Sequence, residues 1–372
     1  RHDLATCCEV AAGVVSSPGT AFGVPVSDNA WSLAHRIAYQ QFPDQGAKTY
    51  APRSHVLYRE IAPRLQDEAG FRFEEAFESA YGLNMDDAWK IGNTLYRWCL
   101  RNPGASFDDG VLAENVEPEG ISETSVQSFL GIVACDYTAY RSLLGVPSGQ
   151  QSHFEPYTLN PFRKYPVLRL PDGCHLVPVP GFLLRRITHG LYYDLIELDR
   201  AGFIGLMGRA FRAYVGRLLH GQPSDVAPLF EGGPWAVSNP SAAVLIECIT
   251  LPLGALSRST GNYTEVRRDL ARRGGVVDCV KRLQGIVQEA DDRPAVREDL
   301  RGKCVIRMVV ALEDFYLANG PFIRSIVDDE LEGQGHPRME ANVQLAHVIG
   351  LESLCALSDE SGTDFSFGLG TI

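Results

Sequence analysis

The stretch Val244-Leu245-Ile246-Glu247-Cys248-Ile249-Thr250 constrains this chain more than any other: an apolar run that reads as a strand and holds one carboxylate. A short apolar run of this kind is covered on both faces of a sheet, so its acid enters the interior with its neighbours. A buried carboxylate is costly unless a metal, a cation or a set of hydrogen bonds compensates it. Which of the three is present decides what the surrounding fold can do. The segment Cys304-Val305-Ile306-Arg307-Met308-Val309-Val310 predicts a second buried strand, over 304–312.

At 372 residues the chain has the length of one large domain or two ordinary ones. Its hydrophobic content of 45% and charged content of 22% are those of a globular protein. No apolar run approaches the roughly 20 residues that cross a bilayer, so no membrane partner is expected. Residues 1–25 lack the order of a signal peptide, and a first residue of Arg rather than Met points to a fragment or processed chain. The nine cysteines are odd in number, form no Cys-x-x-Cys and have mostly apolar neighbours. Buried reduced thiols and a cytoplasmic location are expected, with the sequon at Asn262-Tyr263-Thr264 a coincidence. No Cys/His pair has zinc-ligand spacing.

Periodicity predicts helices over 28–42, 52–67, 71–82, 85–101, 121–134 and 136–145, with Ser27 or Asn29 capping the first. Residues 1–150 thus read as an all-helical accessory domain. Residues 151–200 read as a linker, a β-hairpin around Pro171-Asp172-Gly173 and a helix over 181–198. Residues 201–358 read as an α/β domain. Its elements are a helix over 201–220, a hairpin of Trp235–Ser238 and Ala242–Thr250 turning at Asn239-Pro240, and one long helix over 264–290 capped by Thr264. The strand at 304–312, a helix over 321–333, a strand over 342–349 and a helix over 350–358 complete it. The tail 359–372 reads as disordered. The fold class is α/β (α+β): a helical N-terminal domain, then an α/β sandwich around a small mixed sheet.

The net charge of −12 opposes sequence-blind attraction to nucleic acid. A local basic groove is conceivable from Arg267, Arg268, Arg272, Arg273, Lys281 and Arg282, all within the predicted 264–290 helix. A solvated helix surface, paired with Glu265, Asp269 and Asp278, is the favoured reading of the same residues. The histidines form no His-Glu-x-x-His. The acidic runs Asp328-Asp329-Glu330 and Asp291-Asp292 read as solvated helix ends. No Gly-x-Ser-x-Gly elbow, phosphate loop or dinucleotide fingerprint occurs.

Several segments occur in an order that resembles the PD-(D/E)XK nuclease superfamily, in particular nuclease-like proteins with a helical N-terminal half. They are Phe162–Leu170 with Pro171-Asp172-Gly173, Leu183–Tyr193, Gly208–Val215, and the hairpin and strand Trp235–Thr250. Glu313–Leu317, after the strand, is similar to a further segment of that group and is expected to anchor the sheet through its aromatics. The resemblance covers roughly residues 50–358 and implies a restriction-endonuclease-like fold. In active members of this superfamily, carboxylates on adjoining strands hold Mg²⁺, which polarises the phosphate and activates water, and a strand lysine supports the nucleophile. Matched residue by residue, this chain keeps Glu247 alone: Pro234 stands at the Asp position, Ile249 at the Lys position and Arg212 at the helix Glu position.

One carboxylate gives the ion little reason to leave water, and Arg212 brings a fixed positive charge to the same place. A structural ion pair between Arg212 and Glu247 is therefore expected, with no metal and no cofactor. This implies a catalytically degenerate nuclease-like protein, a nucleic-acid-associated or scaffold subunit partnered by nucleic acid or protein. Two other readings stay open. One is an active Mg-dependent DNA endonuclease with relocated residues, Lys281 for the lysine and Glu231 or Asp225 for the acid. The other is a protein–protein interaction module.

Overall fold

The computed structural model describes residues 47–143 and 160–361, apart from 222–224, 231, 252, 255–256, 259–260, 289–295, 297, 299 and 314, together with Ala34, His35, Ala38 and Tyr39. The expectations for Ser27, Asn29, Cys7, Cys8, Glu231, Asp291-Asp292, nearly all of the 151–162 linker and the tail from 362 fall outside these residues. The protein is mixed α/β, with two mixed sheets. It divides into two compact units: Gln40–Ala210, and the chain before it joined to everything from Phe211 onward.

The Gln40–Ala210 unit is mainly helical. It contains α1 (Ala47–His55), a π-helical turn (Val56–Ile61), α2 (Ala62–Ala69), α3 (Phe73–Tyr81), α4 (Met85–Arg101), α5 (Asp109–Val116), α6 (Glu123–Val133), α7 (Tyr137–Leu143), α8 (Pro180–Ile187) and α9 (Leu191–Leu198). Three of these helices start on side-chain caps: Asn84 accepts from the Asp87 N–H at 2.8 Å, Asp108 from Val111 at 2.8 Å and Ser122 from Ser125 at 3.1 Å. Phe73, Phe77, Ile91, Leu95, Phe129 and Leu183 form its fully buried interior.

The region is not wholly helical, however. Strands β1 (Ser106–Phe107) and β2 (Ala134–Asp136) join the predicted hairpin, β3 (Val167–Arg169) and β4 (His175–Leu176), in a sheet of order β1-β4-β3-β2. Strands of two and three residues are too short to show alternation, which is why periodicity misses them. The helix expected over 181–198 is two helices. Thr188 turns its hydroxyl back onto the Leu184 carbonyl at 2.7 Å where the first one ends. Beside that break Arg186 makes a buried bidentate pair with Asp194, at 2.5 and 2.9 Å.

Helix α10 (Arg200–His220) carries the chain into the second unit. There β5 (Asp225–Pro228), β6 (Trp235–Ser238) and β7 (Ala242–Ile249) form an antiparallel meander. Strands β8 (Cys304–Ala311) and β9 (Val343–His347) extend it in parallel, giving the order β5-β6-β7-β8-β9. The β6–β7 turn is held by Asn239, whose side chain accepts from Ser241 N at 2.8 Å and Ala242 N at 2.7 Å. Leu245, Ile249, Val309, Ala311, Val343 and Leu345 pack in one core with α11 (Tyr263–Ala271), α12 (Val276–Gln288) and α13 (Pro321–Gly333). Helix α14 (Val348–Ser361) follows β9. The edge strand β9 is blunted by Asn319, which donates to Leu345 O at 2.8 Å and accepts from Leu345 N at 2.9 Å.

The single helix expected over 264–290 is corrected to α11 and α12. Gly274 takes φ +71, a left-handed conformation, and donates its N–H to the Asp278 carboxylate at 2.8 Å, so the chain stops and restarts. The cap of α11 is Asn262 rather than Thr264, accepting from Thr264 N at 2.9 Å and Glu265 N at 3.3 Å. Among the described cysteines all are free. Cys99, Cys135, Cys279 and Cys355 are buried, but Cys304 is exposed.

Trp235 packs against α10 at Gly216, where a Cβ would come within 2.3 Å of the indole. Gly216→Ala is expected to destabilise the protein by about 1–3 kcal/mol through overpacking. Denaturant unfolding measures it, and the additional change Trp235→Leu should recover most of the loss.

Candidate functional site around Glu247

Glu247 sits near the carboxyl end of β7, paired with Val309 of β8, and is 7% exposed. Successive strand residues alternate faces, so Glu247 shares the side of Leu245 and Ile249, where α12 packs. The cation that meets it is Arg282 of α12, with Nη2 3.6 Å from Oε2. Arg282 also donates to the Cys279 thiol at 3.3 Å, one turn earlier on the same helix face.

The expected Arg212 partnership is therefore corrected. The Arg212 guanidinium stacks over the Trp235 ring, 5.3 Å from its centroid, and the indole N–H donates to the Arg212 carbonyl at 3.0 Å. From there Arg212 still favours the charged carboxylate, but less than Arg282 does.

Burial dominates the electrostatics of the site. It pushes the Glu247 carboxyl above the usual carboxylate range, against the opposing pull of Arg282, Arg212 and the Cys248 N–H. Burial also raises the neighbouring thiols: Cys279 is pushed up to about 11, with the Glu247 charge adding to the effect, and Cys248 rises as well. Neither is a reactive thiolate at neutral pH.

The other motif positions do not converge on Glu247. Ile249 is a core residue, 6% exposed. Pro234 precedes β6 and uses its carbonyl to accept from Leu229 N at 2.9 Å. Asp225 lies in register with Ser238 and Ala243, four residues along the sheet from Glu247, or about 13 Å. Lys281 points to Asp278 and Gln334, each at 2.8 Å. Among the described residues no group of three or more His, Cys, Asp or Glu side chains is arranged to hold a metal ion. The donor set at Glu247, one carboxylate facing a guanidinium, does not fit Mg²⁺, which needs several oxygen ligands.

The basic residues expected to face nucleic acid are distributed over α11, the turn after it and α12, and five of the six meet an acid. Arg267 pairs with Glu330, Arg268 with Glu265, Arg272 with Asp269 at 3.8 Å, Lys281 with Asp278 and Arg282 with Glu247. Among the described residues Arg273 makes no ion pair. Surface pairs of this kind add little to stability, but together these contacts cancel most of the positive field.

Sequence reasoning missed a second buried polar cluster. Ser257 donates to Asp269, which also accepts from Gly254 N at 2.6 Å, and the His35 ring lies 3.2 Å from the Ser257 carbonyl. Burial lowers His35 to about 4, so it is neutral. Residues 222 positions apart carry no local signal of this contact. Comparison with protein families, curated proteins and solved structures finds no match.

Because the folded pKa of Glu247 lies above its unfolded value, the native state binds this proton more tightly. Its contribution to stability is greatest below the ordinary carboxylate range and is lost as pH rises through the folded pKa. Glu247→Gln should therefore raise the midpoint of thermal unfolding at pH 7, with the gain fading below about pH 4. Arg282→Ala should lose about 1 kcal/mol at pH 7, since its guanidinium is largely solvated, and lose nothing further in the Glu247→Gln background.

Proposed function

We propose that this chain is a catalytically silent protein on a PD-(D/E)XK nuclease-like core, serving as a non-catalytic scaffold or nucleic-acid-associated subunit. Support for the core comes from the element order: helix α10, the three-stranded meander, the α11–α12 pair, then β8 parallel to β7. The observation that carries the functional reading is the Arg282 guanidinium 3.6 Å from the buried Glu247 carboxylate. A divalent ion placed there would meet a fixed positive charge and only one ligand side chain.

Of the two non-catalytic roles, the internal pairing of Arg267, Arg268, Arg272, Lys281 and Arg282 favours a scaffold bound to protein. Free thiols suit a reducing, cytoplasmic setting. Among the described residues no helix is long and apolar enough to cross a membrane.

Calorimetric titration with Mn²⁺ should give no saturable heat, and incubation of plasmid and single-stranded DNA with Mn²⁺ should leave both uncut. Cleavage that disappears in Glu247→Ala would overturn the reading and establish a working nuclease. DNA binding that weakens with salt, and is abolished by reversing Arg267, Arg268, Arg272 and Arg273 to Glu, would replace the scaffold with the nucleic-acid role.

A further inference from the structure

A groove of about 520 Å³ opens in the Gln40–Ala210 unit, where β3 and β4 meet the start of α5 and the middle of α6. It lies apart in sequence from Glu247 and is lined by Asp108, Asp109, Gln127, Leu130, Arg169 and His175. Phe107, His175 and Arg169 stand in register across β1, β4 and β3, so their side chains leave the same face of the sheet.

His175 is 4% exposed, and neither ring nitrogen makes a hydrogen bond. Its ring stacks on Phe107, with centroids 5.5 Å apart, and its Nδ1 lies 3.3 Å from the Asp109 carboxylate. A buried imidazole without hydrogen bonds is a destabilising feature, and a bound ligand can relieve it. Burial also keeps the ring neutral at pH 7.

Charges of opposite sign flank this ring. Asp108 is committed to capping α5, which leaves Asp109 as the available acid on the β1 side, its side chain 39% exposed. On the β3 side Arg169 is exposed and makes no ion pair among the described residues. Asp109 follows β1 and Arg169 lies on β3, with β4 and its His175 between those two strands.

We propose that this groove binds a free α-amino acid, its ammonium on Asp109, its carboxylate on Arg169 and the His175 ring between them. An anion alone would face Asp108 and Asp109, and a cation alone would leave Arg169 unanswered. A metal ion is not favoured, since no metal-holding group occurs among the described residues. The volume leaves room for a side chain beside Leu130.

Titrating the full chain calorimetrically with each of the twenty standard amino acids at pH 7 tests this. At least one should bind saturably at or below about 10 mM. Its methyl ester and its N-acetyl derivative should both fail, and Arg169→Gln and Asp109→Asn should each weaken binding about tenfold or more. Circular dichroism checks that the variants fold; should one not, the ester and acetyl derivatives decide the matter on the parent protein. Absence of binding by all twenty, or an ester that binds as well as its parent acid, would overturn the proposal.

Discussion

A carboxylate on a central strand is the constraint around which the second unit is arranged. Strand β7 has β6 on one side and β8 on the other, and Ala243 through Ile246 are completely buried. Glu247 continues that strand and is forced inward by the alternation of its neighbours. Its compensation comes from α12, and α12 reaches it because the helical segment is broken. If α11 continued through Gly274 and Gly275, the phase of one helix would have to serve both the Val266–Leu270 contacts and the Cys279–Arg282 face. The left-handed Gly274 and the Asp278 cap release that coupling, so Arg282 can be set against Glu247 independently of α11.

The longest and most apolar elements were legible in the chain. Strands β7 and β8 match their expected spans to within a residue, as does α13, because continuous β-branched runs and a clean 3.6-residue period leave few alternatives. The sequence reading failed where local signal is short or tertiary. Strands β1, β2 and β5 are too brief to show a period. Helix α5 follows an aspartate cap, but its few apolar residues repeat too briefly to stand out. The presence of a cation beside Glu247 was readable from the cost of burying an acid, whereas its identity was not. Arg212 and Arg282 lie on different helices, and the stacking of Arg212 on Trp235 is a contact no spacing announces.

The same cost is met elsewhere in the molecule, and the solutions differ in quality. Arg307, 2% exposed on β8, bonds Glu340 and Asn342 at 2.6 Å each. Arg186 and Asp194 make a two-point contact reinforced by the Lys164 carbonyl at 2.8 Å. These are charge-assisted hydrogen bonds, two-pronged at Arg186–Asp194, and such bonds are what makes a buried ion tolerable. The Glu247–Arg282 contact, at 3.6 Å, is longer than a hydrogen bond, and its guanidinium is 57% exposed.

That difference bears on what Glu247 is for. A carboxylate kept only to stabilise the sheet would be expected in a close, hydrogen-bonded contact like the other two, or replaced by an apolar residue of similar volume, as buried pairs often can be without loss. Glu247 is instead loosely compensated, with its charge resisted by burial. Arg282 and Arg212 supply positive charge near it, and the side chains of Ile249 and Pro234 supply none of the donors a divalent cation needs. The site holds its shape through the packing of β7 on α12, which sets Glu247 and Arg282 on facing elements.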